Sequence, residues 1–129
     1  AMPLKLSLKP GETFVVNGAA VRNGDRRGVL LLENRARVLR EKDILRPSEA
    51  TTQAGRTYFA IMQMYLLGEV DGPAYAQAAE ALAGLLAACE CEEDREAVLE
   101  VSADVASSQL YRALSRCRKM MLADAREPA

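Results

Sequence analysis

At 129 residues, half of them hydrophobic, the chain has the size of one domain or of two small ones sharing an interface, which excludes wholesale disorder. Its net charge of −1 hides an asymmetry: the first 47 residues carry ten basic and five acidic side chains, the remainder seven basic and thirteen acidic. No run approaches the roughly 18 apolar residues of a membrane span and no secretory leader precedes the strands, so a cytoplasmic protein with no membrane partner is expected; three cysteines, an odd number, fit a reducing compartment.

Ala1 ahead of Met2 looks like a cloning remnant and stays outside the fold argument. From Leu4 to Lys9 leucines alternate with Lys5, Ser7 and Lys9, the pattern of a half-buried strand with a basic outer face. Pro10-Gly11 turns the chain. Thr13 to Val16 is a second strand, and Asn17-Gly18 is the preferred pair for a type I′ hairpin leading into Ala19 to Arg22. Asn23-Gly24-Asp25 offers a second turn of the same chemistry. Gly28 to Leu32 is apolar on both faces, which predicts a central strand buried on both sides. Glu33-Asn34-Arg35 turns again, and Ala36 to Arg40 makes a fifth strand. A sheet of about 40 residues cannot cover its own apolar faces, so cover must come from the helical half or from a second copy; a homodimer is expected.

Glu41 to Leu45 reads as a short helical turn, stopped by Pro47. Thr51 or Thr52 can cap a helix running to Leu67, apolar nearly all round and therefore buried from several sides. Gly68 to Gly72 is a loop, and Pro73 suits the first turn of the next helix. There Tyr75, Ala79, Leu82, Leu86 and Cys89 form a helix-pair seam. Glu92-Glu93-Asp94 opens a last helix, with Val98, Val101, Val105, Tyr111, Leu114, Cys117 and Met121 as its stripe; at roughly 30 residues it would extend about 45 Å. The expected architecture is α+β: a basic, β-rich, RNA-binding region over residues 1–47 with five antiparallel strands, and an acidic three-helix region over residues 48–129, in one compact chain.

Catalytic readings are poor. The chain has no histidine, its serines sit in no nucleophile context, and no glycine-rich loop joins a strand to a helix, so the expectation is a non-enzyme without cofactor. Cys89, Cys91 and Cys117 read as small buried hydrophobes rather than metal ligands. Glu90 and the run from Glu92 to Glu96 read as a solvated helix start, and Tyr58, Phe59, Met62, Met64 and Tyr65 as core. The basic strands point instead to a polyanion, and specifically to nucleic acid. Phe14 alone cannot build an aromatic stacking surface, so recognition would work through strand edges, backbone groups and arginines.

The stretch from Leu4 to Glu12, Asn17-Gly18, Asn23 to Arg27, Leu39 to Ile44, Tyr58-Phe59 and Met62 to Tyr65 together resemble the FlbT family of flagellum-biosynthesis repressors, from Leu4 to about Leu122. Gln53 stands where a proline opening the helix is expected. The resemblance implies a cytoplasmic post-transcriptional regulator that associates with the 5′ untranslated leader of flagellin mRNA and represses synthesis by promoting message decay or blocking translation. It also implies a counterpart in the small FlaF family. The alternative is a protein-interaction or chaperone-like module whose helices bind a FlaF-family or flagellin partner, with indirect RNA effects. From Leu4 to Leu45 the chain also resembles the carbon-storage regulator family CsrA, dimers of interleaved five-stranded chains whose first and last strands carry the RNA contacts. That likeness implies roles for Leu6, Arg40 and Lys9, while Leu8 stands where arginine is usual. The RNA-binding set expected is Lys5, Leu6, Lys9, Arg22, Arg26, Arg27, Arg37, Arg40 and Lys42, with an ion pair to Glu12 or Asp43 as the competing role for Arg40.

Overall fold

Strand β1 (Leu4–Leu8) realises the alternation: Leu6 and Leu8 are buried, Lys5 and Ser7 lie in solvent. It pairs antiparallel with β4 (Gly28–Leu32), placing Leu6 opposite Leu30 and Leu4 opposite Leu32. A second antiparallel sheet is formed by β2 (Thr13–Val16), β3 (Ala19–Arg22) and β5 (Val38–Arg40), with β2 in the middle. The β2–β3 hairpin turns on Asn17 and Gly18, both at positive φ (49° and 84°), as a type I′ turn requires. The core of this unit is the contact of the two sheets, in which Leu6 and Leu8 meet Phe14 and Val38, flanked by Val16, Leu30, Leu32 and Ala36.

The computed structural model describes residues 4–126, and they form two compact units. One holds the five strands through Ile44, together with Leu66–Gly68; the other comprises Leu45–Tyr65 and the chain from Glu69 onward.

Two strand expectations are corrected. β4 is not central: it pairs with β1 alone, and Val29 and Leu31 are each 58 % exposed. Its sequence is apolar on both faces, but only the Leu30–Leu32 face meets the other sheet. Asn23-Gly24-Asp25 is not a second hairpin, because β3 and β4 belong to different sheets. The Asn23 side-chain amide donates to the carbonyls of Lys9 (2.7 Å) and Arg26 (2.9 Å), while Gly11 N–H donates to Gly24 C=O (2.9 Å). The loop is thus fastened to the Pro10-Gly11 turn and hands the chain from one sheet to the other.

In the helical unit Thr52 Oγ1 accepts from Gly55 N–H (2.9 Å) and caps α1 (Gln53–Leu67). Tyr58, Met62, Met64 and Tyr65 of that helix are buried, as expected for core. Pro73 opens α2 (Pro73–Ala87). The buried face of α2 is Ala74, Ala78 and Leu82: Leu82 is buried as the expected seam has it, whereas in the first turns Ala74 and Ala78 take the place of half-buried Tyr75 and exposed Ala79. An alanine-rich helix is apolar on every side, so spacing alone could not choose. The choice follows from α1: Gln53 Nε2 and Thr57 Oγ1 both donate to Ala81 C=O, at 3.1 and 3.3 Å.

The expected 30-residue helix is two, making four helices rather than three among the described residues: α3 (Glu92–Ala106) and α4 (Leu110–Arg126). Ser108 adopts a left-handed φ of 62°, and Gln109 N–H closes the end by donating to Asp104 C=O (2.7 Å). Neither glycine nor proline marks the break. Val98, Val101, Val105, Leu114 and Cys117 are buried as expected, whereas Tyr111, on the re-phased α4, is exposed with its ring 6.0 Å from that of Tyr65. Cys91 is not a buried hydrophobe: it is exposed and caps α3, its sulfur accepting from Asp94 N–H (3.4 Å). No helix among the described residues is long and apolar enough to cross a membrane.

Candidate nucleic-acid interface

The turn after β1 and the end of β5 build one site. Gly11, at φ 70°, lets the chain reverse so that Glu12 N–H donates to Lys9 C=O (3.1 Å) and Lys9 N–H to Glu12 Oε1 (3.0 Å). Arg40 lies opposite Phe14 in the β2–β5 register, and its guanidinium forks onto Glu12: Nε to Oε2 at 3.0 Å, Nη2 to Oε1 at 3.0 Å. Nη2 also donates to the carbonyl of Ser7, so this one side chain ties β5 to the edge of β1. Glu41, just past β5, accepts from Thr13 N–H (3.0 Å). Around these bonds opens a cleft of about 380 Å³ lined by Lys9, Pro10, Gly11, Glu12, Arg40, Glu41 and Lys42.

The electrostatics follow from who is occupied. The Lys9 backbone N–H holds the Glu12 carboxyl below its ordinary range; burial opposes this, and the Arg40 hydrogen bond and charge, then the Lys9 charge, reinforce it. Glu12 is only 10 % exposed, Arg40 29 %. Both carboxylates are therefore tied to backbone N–H groups. The ammonium groups of Lys9 and Lys42 are exposed and close no salt bridge among the described residues, and Arg40 Nη1 makes none of the bonds above. The cleft presents cations outward.

The structure thus brings Lys9, Arg40 and Lys42 together. Arg40 does pair with Glu12, the competing role foreseen for it, yet keeps part of its fork in solvent. Arg26 and Arg27 are exposed in the loop that Asn23 fastens beside Lys9, and Arg22 is exposed at the end of β3. Lys5 is exposed on the outer face of β1, opposite Leu31. Leu6 stands apart: it lies in the core between the sheets, where its side chain holds the strand rather than meeting a ligand. Arg37 also stands apart. Its backbone exchanges hydrogen bonds with Asn17, and its guanidinium lies over Gly68, where an added Cβ would come within 2.8 Å of Cζ. Sequence reasoning did not place Glu41 in the site, since it is 28 residues from the Thr13 N–H it accepts. Glu12 entered the sequence reading only as a possible partner of Arg40, not as a member of the site.

A model of the family described as flagellar protein FlbT matches residues 4–126. The chain belongs to the FlbT family. It is 48 % identical over 120 residues to a protein of a Caulobacter species named probable flagellum biosynthesis repressor protein FlbT, covering 93 % of this chain and 92 % of that one. The flagellum biosynthesis repressor protein FlbT of Caulobacter vibrioides is 46 % identical over 120 residues, 93 % of this chain and 85 % of its own. A probable FlbT repressor of Rhodopseudomonas palustris is 34 % identical over 121 residues, 93 % of each chain. No solved structure matches. The resemblance read from the sequence is thereby confirmed for FlbT, while none of these matches bears on the likeness to CsrA.

Proposed function

We propose that this FlbT-family chain represses flagellin synthesis after transcription, by binding the 5′ untranslated leader of flagellin mRNA and so promoting its decay or blocking its translation. The names of its relatives, flagellum biosynthesis repressors, support the repressor role. The observation that carries the RNA reading is the cleft in which Arg40 is clasped by Glu12 and Glu41 is bound to the Thr13 N–H, while the side chains of Lys9 and Lys42 lie exposed. Lysines there supply phosphate contact and hence salt-dependent affinity. Arg40 supplies shape: held by Glu12, its guanidinium meets a base edge or phosphate pre-oriented, as lysine cannot. The protein acts as a cytoplasmic regulator rather than a catalyst, and as a homodimer. Exposed Val29 and Leu31 and the unpaired outer edges of the β1–β4 sheet among the described residues favour pairing with a second copy.

The test is binding of the purified protein to a flagellin leader and to a scrambled one. Arg40→Ala and Arg40→Lys should both flatten the preference between the two, Arg40→Ala at a cost of about 1–3 kcal/mol. Arg26→Ala combined with Arg27→Ala should weaken both RNAs alike and lower the salt slope by about 0.7 for each phosphate no longer neutralised. A folded Arg40→Ala that still discriminates would move the site elsewhere. No binding by the bare protein would favour the second reading, a module whose helices hold a FlaF-family or flagellin partner.

A further inference from the structure

Strand β4 is an open edge. It pairs with β1 on one side, and among the described residues no strand and no backbone hydrogen bond reaches its other side. The Ser7 carbonyl turns away from β4 to accept from Arg40, so Ser7 and Val29 stand opposite each other without exchanging hydrogen bonds. Val29, and Leu31 two residues on, therefore point their N–H and C=O groups out of the open edge. Edge strands are usually guarded by a charge or a proline, and Gly28 to Leu32 holds neither. Charge sits only at the two ends, in Arg27 and Glu33.

Arg27, Val29, Leu31 and Glu33 alternate onto one face, and all four are exposed. Turned about a two-fold axis at Leu30, this row meets a copy of itself. Arg27 then lies opposite the partner's Glu33 and Val29 opposite the partner's Leu31, with the same pairs repeated across the axis. Both members of the apolar pair carry outward main-chain groups, so this register also closes the backbone bonds. A slip of two residues sets Arg27 against the partner's Leu31 or Glu33 against the partner's Val29, and a slip of one turns the rows onto opposite faces. The open edge of β3 offers no such match, because Ala19–Arg22 has a cation at one end and no acid at the other. We infer that β4 pairs antiparallel with β4 of a second copy of this chain, joining the two β1–β4 ribbons into one sheet with an Arg27–Glu33 pair at each rim. This rests on the homodimer proposed above and assigns its contact strand and register. The far edge of β1, where Arg40 holds Ser7, stays uncovered in each copy, so the pair carries two RNA clefts.

The test is self-association of the full chain without RNA, by sedimentation equilibrium up to about 100 μM, which reads a Kd of about 10 μM or tighter. Leu31→Lys should weaken association by about tenfold or more with an unchanged circular dichroism spectrum, since the side chain is exposed. Val29→Lys repeats the test from the paired position, should Leu31→Lys fail to fold. Arg27→Glu alone and Glu33→Arg alone each set like charges across the axis twice, and each should weaken association by about tenfold. Mixed in equal amounts, these two variants should regain the parent's association, because every pair across the axis is again of opposite sign. No RNA is present, so the outcome stands apart from the phosphate role of Arg27 and from the leader assay. A monomer at every concentration would overturn this interface and the homodimer together. A dimer indifferent to both lysine variants would overturn the β4 contact and leave the homodimer standing. Charge reversals that weaken association without rescue on mixing would overturn the register.

Discussion

In the β-unit the carboxylates of Glu12 and Glu41 turn back onto backbone N–H groups, whereas in the helical unit Asp104 and Glu100 of α3 meet arginines of α4. Asp104 is 6 % exposed, with Arg112 and Arg116 at 3.7 and 3.4 Å, and Arg116 also reaches Glu100 at 2.9 Å. Both acids of α3 are thus met by arginines of α4, whereas in the β-unit Glu12 shares the Lys9 N–H with the Arg40 guanidinium and Glu41 takes a main-chain N–H alone. The consequence differs. Cations of α4 are used to lock a helix hairpin, while Lys9 and Lys42 in the β-unit are left for something outside. The sequence charge of the second half as a whole hides this, because Arg112, Arg116, Arg118 and Lys119 make α4 a basic helix against an acidic α3.

The units also differ in depth of core. Between its two sheets the β-unit buries Leu6, Leu8, Phe14 and Val38, none of them completely, whereas the helical unit buries Ile61, Met64, Val101, Ala113 and Cys117 completely. The sharpest way to break the helical side is Leu82→Asp. Leu82 is 6 % exposed, and an unpaired carboxylate there should cost several kcal/mol, against about 5–15 for a typical domain. Helical circular dichroism should be lost or melt far earlier. Ala79→Asp, three residues before and exposed, should melt nearly as the parent does. If the two behave alike, the buried face of α2 is the Tyr75–Ala79 seam after all.

In the β-unit the corresponding weak point is electrostatic and shows as pH dependence. The Glu12 carboxyl is depressed below its ordinary 4.5, first by the Lys9 N–H and then by Arg40. A depressed carboxylate adds stability that is present above the ordinary value and lost as pH falls through the folded-state value. Acidification below about 4.5 should therefore loosen the Lys9–Arg40 corner, read as amide signals of β1 and β5. Glu12→Gln should remove that dependence and, by freeing the Arg40 fork, blunt leader discrimination as well. The same acid slope in parent and variant would mean that the clasp does not form in solution.

Alternation and turn chemistry made much of this legible beforehand: the inward leucines of β1, the Asn17-Gly18 hairpin, the Thr52 cap and the Pro73 start all stand where local rules put them. What local rules could not supply was pairing. Gly28 to Leu32 carries no mark of how many neighbours it has, and Asn23-Gly24 looks like a hairpin whether or not β3 and β4 share a sheet. The cleft was half legible. Its cations were read from charge and Glu12 was one of two partners foreseen for Arg40, but the choice of Glu12 over Asp43, across 28 residues, is made by the fold.

The smallest expected effect concerns the break that the sequence does not announce. Ser108 sits at φ 62°, where a residue with a Cβ is strained by roughly 1–2 kcal/mol, and its side chain is exposed. Ser108→Gly removes that strain, offset in part by the extra freedom glycine has in the unfolded chain, about 0.4–1 kcal/mol. The net is a stabilisation of somewhat under ~1 kcal/mol, a rise of roughly 2–4 °C in melting temperature. Were α3 and α4 one continuous helix, the same glycine would lie in a helix interior and cost about 1 kcal/mol. The sign therefore decides. It also decides whether the α3–α4 clasp exists, because Arg112 and Arg116 can fold back onto Asp104 only if the chain reverses at Ser108. A lower melting temperature for Ser108→Gly would restore the single long helix, and with it return α4 to being a cationic surface open to partners.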